Sequence, residues 1–169
     1  HMVLFSDHSA SPFALKARVY DASASAWEAP AFTLTTGPGP YMDVASAART
    51  ADGRVVVAWE EAVDDSEGAT HVLRARTYGA GTWSTVALLD DSFGSLVQVA
   101  AAGNDVHVVW PDGSQFVTSR LDAGSTAWTT STPIGPVNAA IQLCLAGDSF
   151  GGVVLAWRET TTVLARLYR

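Results

Sequence analysis

Four copies of one two-strand pattern run through the chain, and this repetition constrains the fold more than any other feature. In each copy an apolar run ending in a large aromatic is followed by a run carrying an arginine. Val3-Leu4-Phe5 precedes Ala14–Tyr20, and Val56-Val57-Ala58-Trp59 precedes Val72–Tyr78. Val108-Val109-Trp110 precedes Val117–Asp122, and Val154-Leu155-Ala156-Trp157 precedes Val163–Tyr168. The aromatics are Phe5, Trp59, Trp110 and Trp157, and the arginines are Arg18, Arg76, Arg120 and Arg166, at spacings of 44 to 58 residues. Self-similarity at such a period marks a repeat architecture.

The repeats carry strands. No window of a dozen residues holds an apolar stripe at helical spacing. Short runs rich in Val, Leu, Thr and aromatics are instead split by turn pairs such as Asp52-Gly53, Gly103-Asn104, Asp112-Gly113 and Gly147-Asp148. The reading is an all-β chain in one domain with repeats near 3–41, 42–94, 95–136 and 137–169. The second repeat divides into four strands, about Asp43–Arg49, Arg54–Glu60, His71–Tyr78 and Trp83–Leu89, and the third divides likewise. Runs such as Arg54-Val55-Val56-Val57-Ala58-Trp59 barely alternate, which predicts strands buried on both faces. A four-stranded unit with a sheet on either side describes a blade of a β-propeller.

By this alignment the first repeat lacks an opening strand and the fourth lacks a closing one. That gives fourteen strands, or about 3.5 four-stranded blades. Such an arc leaves two apolar faces and unpaired strand edges in water. The expectation is a propeller fragment completed by oligomerisation, most simply a homodimer closing a ring of seven or eight blades.

The composition excludes several other classes. Hydrophobic residues make up 48% of the 169 and charged residues 16%, which rules out disorder. The formal charge is −7 and Lys16 is the single lysine, a poor balance for neutralising phosphates, so no nucleic-acid partner is expected. No apolar run approaches the ~18 residues of a membrane-spanning helix. Cys144, the single cysteine, lies in an apolar run and reads as a small buried hydrophobe rather than a nucleophile.

Ser119-Arg120-Leu121-Asp122-Ala123-Gly124-Ser125-Thr126-Ala127-Trp128 resembles the Asp box of bacterial sialidase-like (BNR) propellers, with small insertions. Thr77–Trp83 and Tyr20–Trp27 resemble it more weakly, with Gly79 where the aspartate belongs in the former. The resemblance implies a propeller along nearly the whole chain, an aspartate accepting backbone N–H bonds in the hairpin, and a tryptophan packed between blades. It also suggests, weakly, an exported bacterial protein. Sialidases of this fold use an arginine cluster, a tyrosine–glutamate nucleophile pair and an aspartate acid/base, but no catalytic residue transfers to a matching position.

Ligand-binding candidates are therefore Arg18, Arg76, Arg120 and Arg166 with Trp59, Trp110 and Trp157. The arginines either tie each strand to a neighbouring loop or line glycan pockets between blades. The tryptophans either fill the core or stack on sugar rings. The acidic loops at Asp64–Gly68, Asp90–Gly94 and Asp148–Gly151 lack the ligand order of a calcium loop and read as turns. His8, His71 and His107 show no zinc spacing. No metal, cofactor or catalytic residue is expected. The functional expectation is a non-enzymatic, lectin-like module that self-associates and serves binding or scaffolding, with carbohydrate as the ligand class. The alternatives are a glycoside hydrolase fragment with an incomplete active site, or a propeller piece that assembles without a ligand.

Overall fold

A computed structural model describes residues 2–7, 9, 13–21, 23–37, 45–63, 70–91, 96–137 and 140–168. Its sixteen strands form four antiparallel sheets, each drawn from consecutive sequence, with no helix among the described residues. The first sheet contains β1 (Met2–Asp7), β2 (Phe13–Asp21), β3 (Ala26–Trp27) and β4 (Phe32–Gly37). The second contains β5 (Ala45–Arg49), β6 (Val55–Ala62), β7 (His71–Gly79), β8 (Thr82–Trp83) and β9 (Ala87–Asp90). The third contains β10 (Gln98–Ala102), β11 (Asp105–Asp112), β12 (Gln115–Leu121) and β13 (Thr132–Pro136). The fourth contains β14 (Ala140–Gly147), β15 (Val153–Glu159) and β16 (Thr162–Tyr168).

The count exceeds the expected fourteen because two outer strands are broken. A two-residue piece bearing the hairpin tryptophan pairs first, and a longer piece then rejoins the same partner, as β3 and β4 do on β2 and β8 and β9 on β7. In the third sheet the short piece shrinks to the bridge Leu121–Trp128. Each outer strand also slips register once against its partner, a bulge that twists the edge of the sheet.

Strand β6 explains the stacking. Successive side chains point to opposite faces, and both faces are apolar. Val57 and Trp59 pack against Leu15, Ala17 and Leu34 of the first sheet. Val56 and Ala58, joined by Leu73 and Ala75, pack against Val99, Val106, Val108 and Trp110 of the third. On the third sheet's far side, Ala100, Val109 and Phe116 meet Leu145, Val153 and Leu155 of the fourth. The sheets thus stack in chain order through three apolar interfaces.

The first strands of the later sheets lie side by side, with β10 against both β5 and β14. Their turns are joined through the backbone: Ala51 N–H donates to Gly103 O and Gly103 N–H to Asp148 O, both at 2.9 Å. At Gly147 a Cβ would overlap the Ala101 carbonyl, so only glycine allows β14 to approach β10 this closely.

Leu73 is wholly enclosed in the interface between the second and third sheets. Leu73→Ala is expected to lower stability by about 2–5 kcal/mol, because the stacked sheets close poorly on a void. Urea denaturation with an unchanged slope is the check, and a loss well under 1 kcal/mol would contradict this packing.

Candidate functional site

Strand register sorts the four arginines into three equivalents and one outlier. Arg18 lies opposite Val3, Arg76 opposite Val57 and Arg166 opposite Leu155, each two residues beyond the partner of the repeat aromatic. Arg120 lies opposite His107, three beyond the partner of Trp110. Sequence alignment groups Arg120 with the others, and the register corrects this: a one-residue offset turns a side chain to the opposite face of its sheet. The position equivalent to Arg76 is held by Ser119.

Of the three true equivalents, Arg76 and Arg166 reach the preceding sheet, and Arg18, in the first sheet, has none to reach among the described residues. Arg76 Nε donates to Ser84 O at 2.7 Å, a terminal nitrogen reaches the Thr33 and Leu34 carbonyls of β4 at 3.5 and 3.4 Å, and the guanidinium lies over Trp83. Arg166 donates to Ile134 O of β13 at 3.0 Å and lies over Tyr168, whose hydroxyl bonds the same carbonyl. Arg18 keeps only the local bond, Nε to Glu28 O at 3.2 Å, and no cross-sheet carbonyl meets it among the described residues. Ser119 reproduces the local bond with its hydroxyl, donating to Thr129 O at 2.7 Å, but is too short to cross. Arg120 pairs with Asp122 at 2.5 Å and lines a cleft of about 180 Å³ between the third and fourth sheets.

The tryptophans divide differently from the sequence expectation. Trp59 and Trp110 are fully buried, with their indole N–H groups on Glu61 at 3.2 Å and Asp90 at 2.5 Å, so neither offers a face to a ligand. Trp157 is half-buried, edge-on to Phe116, with its N–H on Glu159 at 2.9 Å. Of the hairpin tryptophans, Trp27 is 40% exposed, and Trp83 and Trp128 are half-buried like Trp157. Trp83 packs against Phe32 and Tyr78, while its enclosed indole N–H has no acceptor among the described residues. Sequence reasoning assigned these hairpin tryptophans to the core, and Trp83 and Trp128 do pack against it, whereas Trp27 does not. The signal that separates all three from Trp59 is their placement just after a hairpin turn, on a two-residue strand or a single bridge.

A hairpin aspartate accepts backbone N–H groups in one hairpin and not in another. Asp21 Oδ1 accepts the Ser23 and Ala24 N–H groups and the Ser23 hydroxyl, which lowers its pKa below 3.8. Asp122 turns instead to Arg120, and Asp105 accepts the Ala123 N–H at 2.7 Å. The acidic stretches 64–68 and 92–94 and His8 lie outside the described residues. Asp148 uses Oδ1 on the N–H groups of Phe150 and Gly152, as turn aspartates do. His71 lies 2.6 Å from Glu60. Cys144, expected to be buried, is exposed on β14.

His107 is half-buried between the third and fourth sheets beside Arg120. Burial first, then the Arg120 charge, pushes its pKa below the ordinary 6.5. The larger cleft, about 570 Å³, separates the hairpins of the second and third sheets and is bordered by Trp83 and Trp128. None of the seven sequence candidates lines it, and they do not converge on one point.

The architecture is that of an all-β protein of four antiparallel sheets with clefts at their junctions. No protein-family profile matches the chain. No curated protein matches it. Among solved structures it is similar to a triple arginine-to-alanine mutant of AofleA from Arthrobotrys oligospora, at 13% identity and a TM-score of 0.44. The match covers 99% of this chain and 65% of that one, so this chain spans under two thirds of its length.

Two outcomes follow from the geometry. Arg76→Ala removes a charged bond to Ser84 and the crossing to β4, and should cost roughly 1.5–3 kcal/mol. Arg18→Ala, with only the local bond, should cost less in the same denaturation assay; equal losses would contradict the cross-sheet role. For His107, the folded pKa lies below the unfolded one, so its contribution is complete above about pH 6.5 and is lost as pH falls from there toward the folded value. His107→Gln should flatten that part of the stability–pH curve, and an unchanged slope would show that His107 is not its source.

Proposed function

We propose that the chain is a non-enzymatic, propeller-like binding or scaffolding module that closes a ring with a second copy, with carbohydrate as its ligand class. The reading rests above all on its two end faces. The face of the fourth sheet turned away from the third carries Val154 and Val163, which are 42% and 70% exposed. By register they correspond to Val56 and Leu73, which are 0% exposed under the third sheet. On the first sheet, Val3 and Phe5 are 45% and 37% exposed, whereas their counterparts Val57 and Trp59 are wholly covered.

One end therefore presents the surface that elsewhere in the repeat is covered by a following sheet, and the other presents the surface covered by a preceding one. A second copy supplies both complements in a head-to-tail contact, and two such contacts about a twofold axis close on themselves. The stacking of sheets in chain order, with first strands adjacent, supports the propeller description. The ligand class is supported by half-buried indoles and hydroxyls at the sheet junctions, which suit the apolar face and polar rim of a sugar ring.

Light scattering at micromolar concentration should give twice the mass of one chain, and Val154→Asp/Val163→Glu should give one chain with unchanged circular dichroism. Cys144 corresponds to Ser46, whose hydroxyl is met by the third sheet's Val99 N–H, so it lies on the same end face. Its reaction with a thiol reagent should slow as protein concentration rises. A single-chain mass with concentration-independent labelling would overturn the assembly.

A further inference from the structure

The junction of the first and second sheets has two fillers that its neighbour lacks. There, Phe32 of β4 packs on Trp83 and Tyr78, and Arg76 reaches across over Trp83. At the junction of the second and third sheets, the residue in register with Phe32 is Ala87: Phe32 pairs with Ala17, and Ala87 with the equivalent Ala75. The residue in register with Arg76 is Ser119, turned back to its own Thr129 carbonyl. The tryptophan is retained, with Trp128 in the place of Trp83. A ring and a guanidinium have been cut away opposite an indole that remains. The cleft of about 570 Å³ lies here, bordered by Ala87 and Trp128, whereas the cleft of about 560 Å³ at the first junction is lined by other positions, Tyr20 and Tyr78 among them.

We propose that this cleft binds the ring face of a neutral sugar, with Trp128 as the stacking surface. This deepens the carbohydrate reading and rests on it for the ligand class, but does not depend on self-association. The volume falls within the roughly 300–1,000 Å³ of small-molecule sites. Two lining hydroxyls, Thr85 and Thr126, make no hydrogen bond within the described residues and remain available to sugar hydroxyls. Arg54 is the charged group in the lining, and it is occupied by Asp52 at 3.1 Å and the Asn104 carbonyl at 2.7 Å. No uncompensated charge favours an anion, so acidic sugars gain nothing here. Indole faces pack well on the apolar side of a pyranose while its equatorial hydroxyls reach the rim.

The test rebuilds the filled junction. Ala87→Phe restores the missing ring and Ser119→Arg the missing guanidinium, singly and together. Each is titrated with the common neutral methyl glycosides, and with glucuronic acid as the acidic comparison, following tryptophan fluorescence and calorimetry. The wild type should bind at least one neutral glycoside saturably and prefer it to glucuronic acid. Ala87→Phe and the double variant should weaken binding by about tenfold or more. Arg18→Ala should not change it. Their melting temperatures should stay level or rise, since the substitutions copy an arrangement the chain already uses. Neutral binding that persists undiminished in Ala87→Phe would place the site elsewhere and leave the carbohydrate reading intact. Absence of any glycoside binding by the wild type would end both. A melting temperature several degrees lower in Ala87→Phe would show that the position is not vacant.

Discussion

Apolarity on both faces of a strand is the constraint from which the remaining architecture follows. A sheet containing Val56-Val57-Ala58-Trp59 cannot stand in water with either side open, because each square ångström of apolar surface costs roughly 25 cal/mol to expose. It must be layered, and layers of the same kind are what the repeat provides. The polar ends of the strands are reconciled locally. Glu61 accepts from the Trp59 indole and from the Thr35 hydroxyl of the preceding sheet, and pairs with Arg74 at 3.1 Å, so one carboxylate serves three groups at a junction. That economy lets the aromatic at the strand end be buried completely without stranding its N–H.

The strand content and the stacking logic were legible because they depend on local facts: valine runs, turn pairs and the recurrence of an aromatic. What escaped was parity. Arg120 looks like Arg76 in a line of text, yet the tight turn between Asp112 and Gln115 fixes a register in which Ser119 takes that place. Counting across the hairpin from Trp110 would have exposed the offset, since pairing in a two-residue loop is determined by its ends. The partial exposure of the hairpin tryptophans escaped for a related reason. Hydrophobicity alone does not distinguish Trp59 in the middle layer from Trp83 on a two-residue edge.

The candidate cleft was illegible for a deeper reason. Phe32, Arg76, Ala87 and Ser119 lie on four strands in three sheets, and nothing in their sequence neighbourhoods links them. They become comparable only once register makes two junctions superimposable. An alanine and a serine, unremarkable in themselves, then read as absences. In repeat proteins individuality of this kind arises by subtraction from a shared frame, and a missing side chain can carry as much chemical meaning as a present one.

The turns at Ala51, Gly103 and Asp148, linked one to the next by main-chain bonds, have a further consequence. With Gly147 drawn against the Ala101 carbonyl, they hold β10 and β14 at a spacing no side chain can widen. The spacing of adjacent layers along this edge is therefore dictated by peptide geometry, while the hairpin edge is free to vary in side-chain bulk. Layer spacing and cleft shape are thereby uncoupled: side chains along the hairpin edge can be enlarged or trimmed without moving the first strands apart.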